Sequence, residues 1–191
     1  MTTQFDPNDA TRFEEMYRDS KDPWEFESSQ YEQRKYAITV VSLPRHRYRS
    51  AYEPGCSIGV LTELLATRCD RLLSSDIIPS ALQHAEARLQ RKSHVRLEER
   101  SISDQWPSGP FDLVVLSEIA YYFSAADLGR VMASVMDSTV RGAHIVGVHW
   151  RGQTNYPLTG ELSHHIIGET PSLVNVVHHR EEEFLLDIWE R

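Results

Sequence analysis

The stretch that decides the fold is Tyr52-Glu53-Pro54-Gly55-Cys56-Ser57-Ile58-Gly59-Val60. It ends a predicted strand with the acid Glu53, turns on Gly55 and leads into a predicted helix. A second acid, Asp76, closes the next apolar run, 21 residues after Gly55. In open α/β sheets, ligands bind outside the carboxyl ends of the strands, where glycine lets the backbone approach and an acid on the second strand binds ribose. The spacing therefore predicts a pocket for an adenosine-type cofactor.

The dinucleotide fingerprint G-x-G-x-x-G is incomplete in this stretch, because Ser57 and Val60 stand at its second and third glycine positions. Pyrophosphate binding favours such a glycine-dense turn, so a nicotinamide dinucleotide is the weaker alternative. S-adenosylmethionine (SAM) carries no phosphate and presents an amino-acid zwitterion, which calls for an acid and backbone groups. The pattern favours SAM as cofactor, with S-adenosylhomocysteine (SAH) as product. A tight strand-to-helix connection without any ligand is the structural alternative.

The composition is that of one ordinary globular domain, with 191 residues, 40% hydrophobic and 25% charged. A formal net charge of −8 opposes non-specific attraction to DNA or RNA, so no nucleic-acid partner is expected. Cys56 and Cys69 lack zinc or CxxC spacing, so neither a metal nor a disulfide framework is expected. The stretch from Thr2 to Glu15 has no apolar signal core, and no apolar run approaches the roughly 20 residues that span a bilayer. We expect a cytoplasmic protein without a membrane partner; the oligomeric state stays open, with a monomer slightly favoured.

Strand-like and helical segments alternate along the chain. Two helical pieces come first, and the second begins at the S-x-x-E capping box Ser29–Glu32. A helix after Ser124 places an apolar stripe on one face, formed by Leu128, Val131, Met132, Val135 and Met136. A turn is predicted at Arg141-Gly142. The other predicted helices cover 60–67 and 79–90, and the predicted strands cover 51–53, 72–76, 95–98, 111–116, 145–148, 173–177 and 184–189.

The alternation predicts parallel strands joined by right-handed crossovers, with helices on both faces of the sheet. The last two strands are separated by the charged connector 180–183 and are typical of a hairpin, which adds an antiparallel strand. The predicted fold class is therefore α/β, a Rossmann-like class I methyltransferase with a mostly parallel seven-stranded sheet and a C-terminal antiparallel hairpin. We predict one domain over 1–191, with an N-terminal helical cap at 1–45 and a Rossmann-like core at 49–191.

Four segments carry a resemblance to a known family: Asp22-Pro23-Trp24, Tyr31-Glu32-Gln33-Arg34, residues 55–59 with Leu61-Thr62, and residues 116–123. On these segments the chain resembles the nodulation protein S family, SAM-dependent methyltransferases that N-methylate the free amine of a deacetylated chitooligosaccharide. The likeness covers nearly the whole chain. By contrast, His149-Trp150-Arg151 and residues 156–160 look like a subgroup feature, and they stand where a substrate is expected to be bound.

The resemblance implies roles for matching positions of this sequence. The methionine part of SAM is expected to face Glu53 and the turn residues Gly55, Cys56, Ser57 and Gly59. Asp76 is expected to bind the ribose hydroxyls, Ile77 to pack on the adenine, and Ser117 to offer its carbonyl to the donor amino group. Ser101, followed by Ile102, stands where family members often carry an acid for the adenine amino group, so a hydroxyl or backbone contact with the cofactor is expected there in its place. The pocket is expected to be closed from the N-terminal side by Trp24, Tyr31 and Arg34.

Methylation of an amine requires that the nitrogen lose a proton, since an ammonium has no lone pair to attack with. His149 ends the fifth strand and Glu118 the fourth, and we expect one of them to take the proton or to hold the ammonium. Tyr121 and Tyr122 are expected to line the acceptor slot. Three of these four residues also have a structural interpretation: a loop hydrogen bond for His149, a helix cap for Glu118, and packing for one of the two tyrosines.

Further substrate contacts are expected from the residues beyond the fifth strand, Trp150, Arg151 and Tyr156. The pairs His164-His165 and His178-His179 are not expected to bind metal, because adjacent side chains diverge on a strand or a helix. They are interpreted as solvated or packing histidines.

The sequence thus predicts a SAM-dependent methyltransferase acting on the amine of a small amino sugar or a chitooligosaccharide-like substrate of the Nod factor type. N-methylation is favoured, and O-methylation stays open. Two alternatives of other classes are an NAD(P)-binding Rossmann oxidoreductase and a non-catalytic SAM-binding module.

Overall fold

The computed structural model describes residues 10–153 and 155–191. Residues 1–9, where the predicted cap begins, lie outside the described residues. The described chain divides into two compact units, an N-terminal unit that ends at Ser101 and a C-terminal unit that begins at Ile102. The single domain predicted over 1–191 stays a prediction. Among the residues that the structure describes, no helix combines the length and the apolar character needed to cross a bilayer.

The N-terminal unit contains three parallel strands in the order β3, β2, β1, with β2 hydrogen-bonded to both neighbours. All four residues of β1 are buried, as expected for a parallel strand covered on both faces. The elements are α1 (Ala10–Asp19), α2 (Gln30–Ser42), β1 (Ala51–Pro54), α3 (Val60–Leu65), a 3₁₀ helix (Ala66–Arg68), β2 (Leu72–Asp76), α4 (Pro79–Leu89) and β3 (Val95–Glu99).

Local sequence signals account for where these helices begin. The Ser29 side chain accepts a hydrogen bond from the backbone N–H of Glu32, at 3.4 Å, and so caps α2. The capping box is only half formed, because the Glu32 carboxylate accepts from Lys35 Nζ at 2.9 Å inside the fold. Pro79 occupies the first turn of α4, where its missing N–H costs nothing. Both cysteines, Cys56 and Cys69, lie in this unit; they are buried and form no disulfide with each other.

The C-terminal unit contains four strands in the order β4, β5, β7, β6. β4 and β5 are parallel, whereas β7 runs antiparallel to both β5 and β6, so the predicted terminal hairpin is confirmed. The elements are β4 (Phe111–Ser117), a 3₁₀ helix (Ala120–Tyr122), α5 (Ala125–Ser138), β5 (Thr139–Trp150), α6 (Gly160–Gly168), β6 (Val174–Arg180) and β7 (Phe184–Glu190). Ser124 caps α5, and four of the five predicted stripe residues are buried, with Met136 half-buried.

One sequence-based prediction for this unit is wrong, and one helix of the unit was not predicted. The turn expected at Arg141-Gly142 lies inside β5, because Gly142 takes a positive φ of 76° and lets the strand continue through an irregularity. Helix α6 was not predicted, since its nine residues include two glycines and show little periodicity. The Thr159 side chain caps it by accepting from the Leu162 N–H at 3.2 Å.

Candidate active site

The turn after β1 has an unusual backbone that only a few residues can adopt. Gly55, Ser57 and Gly59 all have positive φ, at 72°, 50° and 79°. The N–H groups of Gly55 and Cys56 donate to the Ser75 carbonyl at 2.7 and 3.0 Å, which ties the turn to β2. These bonds place the turn beside the carboxyl end of β2, where a nucleotide-type ligand binds in such folds.

Gly59 is needed for packing as well as for its backbone conformation. A Cβ atom added at this position would lie 3.1 Å from Ala85 Cβ and 3.2 Å from Leu89 Cδ1, on the facing side of α4. The missing side chain therefore allows the start of α3 to approach α4 closely.

We expect Gly59→Ala to lower the free energy of unfolding by about 2 kcal/mol or more, because the left-handed backbone alone costs an L-residue roughly 1–2 kcal/mol. Urea unfolding followed by circular dichroism measures the change. The matched control is Gly129→Ala in α5, where nothing lies within 4 Å of the added methyl group. That change should raise stability by about 0.5–1 kcal/mol. A Gly59→Ala protein as stable as the wild type would contradict the argument.

Asp76 lies at the carboxyl end of β2 and binds the turn directly. Its Oδ2 accepts from the Ser57 N–H at 2.7 Å, and its Oδ1 accepts from the Ile78 N–H at 3.0 Å. Burial raises the pKa of this carboxyl above its usual range, although backbone N–H groups of Ser57, Ile78 and Ile77 oppose the shift. Asp76 as a whole residue is half-buried, and its carboxylate keeps lone pairs that suit ligand hydroxyl groups.

The carboxyl of Glu53 is bonded within the fold, and its expected contact with the methionine part of SAM stays a prediction. The residue is 2% exposed, and its Oε2 accepts from Thr62 Oγ1 at 2.7 Å and from Ser74 Oγ at 2.8 Å. These bonds join β1 to α3 and β2. Burial raises the pKa of Glu53 to about 7; the two hydroxyl donors lower it in part, and Asp76 adds to the rise. The sequence could not show that this acid faces inward to two hydroxyls.

The buried carboxyl of Glu53 makes stability depend on pH in a defined direction. Its pKa is about 7 in the folded protein against an ordinary 4.5, so the folded state binds more protons between these values. Stability therefore falls as pH rises through this window, by on the order of 3 kcal/mol, and the favourable contribution is complete only below pH 4.5.

Glu53→Gln should remove this dependence, because the amide stays neutral while its oxygen still accepts from Thr62 and Ser74. Urea unfolding at about pH 5 and about pH 8 is the measurement, and the variant should gain on the wild type at the higher pH. Glu86→Gln, on the exposed face of α4, should keep the wild-type slope. Parallel stability curves for wild type and Glu53→Gln would sink the assignment.

An aromatic cluster from α1 and the loop after it covers the turn. The Trp24 ring packs against Phe13, Tyr17 and Phe26 at centroid distances of 6.1, 5.4 and 5.6 Å. Within the N-terminal unit the cluster continues to the buried residues Ile58, Ile78 and Ala81 and to the half-buried Ile77. The Tyr17 hydroxyl also hydrogen-bonds the Ser57 hydroxyl.

Trp24 is thus brought to the turn, as predicted for a closing residue. Tyr31 lies under Lys35, with Nζ 4.8 Å from the ring centroid, and Arg34 is exposed on α2, so their roles at the pocket stay predictions. Phe13 and Tyr17 were not among the residues predicted to close the pocket. Their i, i+4 spacing on one helix face is the signal that could have found them.

The other residues predicted to contact SAM lie near the ends of strands. Ser101 follows β3 by two residues, Ile102 opens the C-terminal unit, and both are half-buried. Ser117 is the last residue of β4 and pairs with Val148 in the parallel ladder. Their contacts with a cofactor stay predictions.

In the C-terminal unit, Glu118 is held in a strained position directly after β4. Its φ is 56°, a left-handed conformation rare for residues other than glycine. The Glu118 N–H donates to the Val148 carbonyl at 2.8 Å, and its Oε2 accepts from the Tyr121 hydroxyl at 2.7 Å and from the Trp150 N–H at 3.0 Å. Such strain persists only where surrounding bonds impose it, and it clusters at functional sites.

Three tyrosine rings meet beside Glu118. Tyr121 stacks on Tyr156 at 5.0 Å and meets Tyr122 edge to face at 4.8 Å, while Tyr122 and Tyr156 lie 4.6 Å apart. Tyr121 is buried, and Tyr122 and Tyr156 are half-buried. Burial raises the pKa of Tyr121 well above its usual range, and the nearby Glu118 adds to the rise, so this hydroxyl stays protonated and donates. The structure therefore brings both predicted slot tyrosines and Tyr156 together.

Trp150 and Arg151 follow at the end of β5. Trp150 is 38% exposed and donates its backbone N–H to Glu118. Arg151 Nε donates to Glu161 Oε1 at 2.7 Å, and its Nη1 donates to the carbonyls of Glu181 and Glu182. Arg151 thus links α6 to the hairpin connector, and its predicted substrate contact stays a prediction.

Both ring nitrogens of His149 are bonded within the fold, as in the structural interpretation of this residue. Its ring is fully buried, Nε2 accepts from the Ala120 N–H at 3.0 Å, and Nδ1 bonds His164 Nε2 at 2.9 Å. A proton could reach Nε2 only by breaking the bond from Ala120. Glu118, the other residue predicted to take the proton, is only half-buried. Within 10–153 and 155–191, no group of three or more His, Cys, Asp or Glu side chains is arranged to hold a metal ion.

The chain is similar to known proteins of one family. The family model described as nodulation protein S (NodS) matches residues 7–141. Nodulation protein S of Bradyrhizobium diazoefficiens is 35% identical over 102 residues, which is 53% of this chain and 49% of that protein. The chain spans about half the length of the curated relatives it matches.

Two solved structures are similar over most of both chains. A protein from Pseudomonas syringae that was assigned as a methyltransferase is 39% identical, with a TM-score of 0.75, covering 85% of this chain and 100% of that one. The N-methyltransferase NodS from Bradyrhizobium japonicum WM9, in complex with SAH, is 24% identical, with a TM-score of 0.85, covering 95% and 98%.

The likeness to the Bradyrhizobium japonicum structure bears on the fold. The predicted class is confirmed: a Rossmann-like class I methyltransferase fold with a mostly parallel seven-stranded sheet and a C-terminal antiparallel hairpin. The predicted family is confirmed as well. Because the family model matches well over half of its residues, the chain belongs to the nodulation protein S family.

Proposed function

We propose that this protein is a SAM-dependent methyltransferase that methylates an amine nitrogen. The observation that carries the proposal is the carboxylate of Glu118, a half-buried residue with a strained backbone that lies beside the rings of Tyr121, Tyr122 and Tyr156. A carboxylate attracts an ammonium ion, and aromatic faces bind amines and alkylammonium ions through their quadrupoles. A site of this composition suits an amine better than a neutral hydroxyl acceptor.

The N-terminal unit supports SAM as the cofactor. Asp76 offers carboxylate oxygens at the end of β2 that suit the ribose hydroxyls, and the half-buried Ile77 next to it offers an apolar surface that suits adenine. Bound SAM supplies an electrophilic methyl group on a sulfonium. Tyr17 and Trp24 pack in one cluster with the turn residue Ile58. The Glu53 carboxyl joins the elements around the turn, β1, α3 and β2.

The side chains near Glu118 have separate roles in this proposal. Glu118 holds the substrate ammonium and accepts the proton that the nitrogen must lose before its lone pair can attack. The Tyr121 hydroxyl donates to Glu118 and fixes the direction of the carboxylate. The tyrosine rings align the amine, and alignment of this kind can lower a barrier by roughly 7–11 kcal/mol.

For the acceptor we infer an amino sugar or a chitooligosaccharide-like amine of the Nod factor type. The family's name points to nodulation, and the NodS structure from Bradyrhizobium japonicum is described as an N-methyltransferase. The partly exposed Trp150 and the half-buried Tyr122 and Tyr156 provide apolar ring faces on which a sugar ring can stack.

The test is incubation with methyl-labelled SAM and a panel of acceptors: glucosamine oligomers, their N-acetylated forms, free amino sugars and simple amines. We expect label on nitrogen in the glucosamine oligomers and none in the N-acetylated forms, which differ only in lacking the free amine. Mass spectrometry of fragments locates the methyl group. Label on oxygen would replace N-methylation by O-methylation, and SAM binding without transfer to any acceptor would favour a non-catalytic binding module.

The cofactor is tested separately by thermal shift. A ligand that binds only the folded state raises its melting temperature, by an amount that depends on concentration relative to Kd. We expect SAH to stabilise the protein and NAD to have no effect. Stabilisation by NAD alone would overturn the choice of cofactor in favour of a dinucleotide-binding oxidoreductase.

A further inference from the structure

Three buried polar side chains form a continuous hydrogen-bonded chain behind Glu118. The Ala120 N–H bonds His149 Nε2 at 3.0 Å, His149 Nδ1 bonds His164 Nε2 at 2.9 Å, and His164 Nδ1 bonds Asp187 Oδ2 at 2.7 Å. The three side chains belong to residues that are 0%, 5% and 6% exposed. The chain runs from the segment after β4 through β5 and α6 to β7.

The backbone N–H of Ala120 fixes the direction of every bond in this chain. A peptide N–H can only donate, so His149 Nε2 must be an unprotonated acceptor. A neutral imidazole keeps one hydrogen, which therefore sits on His149 Nδ1 and is donated to His164 Nε2. His164 Nε2 is then also an acceptor, and the hydrogen of His164 sits on Nδ1 and is donated to Asp187. Only one arrangement of protons satisfies all three bonds.

Asp187 is suited to end the chain as a carboxylate. Burial alone would raise its pKa, but the hydrogen bonds from His164 and His178, the electrostatic attraction of His164 and the hydrogen bond from Asn175 together lower it. His178 Nδ1 bonds Asp187 Oδ1 at 2.7 Å, and Asn175 Nδ2 donates to the same oxygen at 2.9 Å. An ionised Asp187 can only accept, which holds the His164 hydrogen on Nδ1.

The His164 ring is also fixed by packing. A Cβ atom added at Gly147 of β5 would lie 3.1 Å from His164 Nε2, so the strand approaches the ring closely. The centroids of the Trp189 and His164 rings lie 5.5 Å apart. His149 in turn contacts Tyr121, with ring centroids 5.2 Å apart.

We propose that His164 and Asp187 are positioning residues of the acceptor site, holding His149 in the one tautomer that accepts the Ala120 N–H. In this way they fix the segment 118–122, which carries Glu118, Tyr121 and Tyr122. The inference rests on the proposed function for its effect on turnover, but not for its effect on the structure. These hydrogen bonds do not carry the substrate proton, because they end at the Ala120 peptide N–H, which neither takes up nor releases a proton during methyl transfer.

Two substitutions at one position separate this role from simple packing. His164→Gln places a carbonyl oxygen near the site of Nε2, so it can still accept from His149, although it loses the donor to Asp187. His164→Asn places an NH₂ group near the site of Nδ1, so it keeps the donor to Asp187 but leaves His149 without an acceptor. Both variants remove the imidazole ring.

We expect His164→Asn to speed hydrogen exchange of the Ala120 amide and to lower kcat by about 10-fold to 100-fold, the cost of a misplaced catalytic group. His164→Gln should stay within about 3-fold of the wild type in kcat, and the KM for SAM should change in neither variant. Equal Ala120 exchange and equal kcat in the two variants, or a larger defect in His164→Gln, would overturn the proposal.

A spectroscopic measurement on the wild type completes the test and needs no activity. In ¹⁵N-histidine spectra at neutral pH, His149 and His164 should both show the Nδ1–H tautomer, assigned by the signals that each His164 variant alters. An Nε2–H tautomer or an imidazolium at either residue would contradict the proposed arrangement of protons along these hydrogen bonds. A wild-type protein that transfers methyl to no acceptor would exclude the proposed function. These spectra and the Ala120 exchange would still show whether the hydrogen bonds from Ala120 through His149 and His164 to Asp187 are formed as proposed.

Discussion

Replacing Glu118 by glutamine is expected to lower kcat by about 10²-fold to 10⁴-fold, the range typical for loss of a positioned acid or base. The amide has nearly the shape of the carboxylate, and its oxygen can still accept from the Tyr121 hydroxyl and the Trp150 N–H. The strained segment should therefore keep its conformation. What the variant loses is the negative charge that holds an ammonium and takes its proton.

The measurement is steady-state methyl transfer to the best amine acceptor, with SAH affinity determined by calorimetry. We expect SAH affinity within about 3-fold of the wild type, since Glu118 touches the acceptor in this proposal and not the donor. Glu182→Gln, an exposed carboxylate in the hairpin connector of the same unit, removes the same charge and should leave kcat unchanged. A Glu118→Gln enzyme with wild-type kcat would exclude the carboxylate from the reaction.

The second large effect is expected for donor binding in Asp76→Asn. Both oxygens of Asp76 accept backbone N–H groups, from Ser57 and Ile78, and an amide can offer only one oxygen. Its NH₂ group would meet a backbone donor, so the turn itself is disturbed. Loss of one hydrogen bond to a charged group costs about 1.5–3 kcal/mol. We therefore expect SAH affinity to fall by about 10-fold to 100-fold.

Calorimetric titration with SAH measures this change, and circular dichroism shows whether the variant remains folded. Glu86→Gln is the matched control, since it removes one negative charge from the exposed face of α4 in the same unit. Its SAH affinity should equal that of the wild type. If Asp76→Asn bound SAH as tightly as the wild type, the pocket would have to lie elsewhere.

Local sequence patterns were sufficient for most of the fold. The turn from Gly55 to Gly59, the acid at Asp76 and the two terminal strands each follow from short-range rules of spacing and capping. Helix α6 escaped these rules, because Gly160 and Gly168 at its ends and the short run between them give no helical pattern. The turn predicted at Gly142 failed for the opposite reason, since a glycine with positive φ can also lie within a bulged strand.

The candidate site was less predictable than the fold, because its contacts join residues far apart in sequence. His149 bonds His164 across 15 residues, and His164 bonds Asp187 across 23, so no spacing rule relates them. The inward direction of the Glu53 carboxyl was also beyond the sequence, since a short buried strand shows no alternation of polar and apolar positions. Glu118 and Tyr121, only three residues apart, could be placed together from the sequence alone.

The positions of the two thiols have a practical consequence for studying motion in this protein. Cys56 and Cys69 are the only cysteines of the chain, and both are buried in the N-terminal unit. Burial raises the pKa of Cys56 well above its usual range, and the nearby carboxyl groups of Asp76 and Glu53 raise it further. The reactive thiolate is therefore scarce in the folded state. An alkylating reagent should therefore modify these sulfurs only during transient opening, and its rate would give the free energy of that opening without any engineered label.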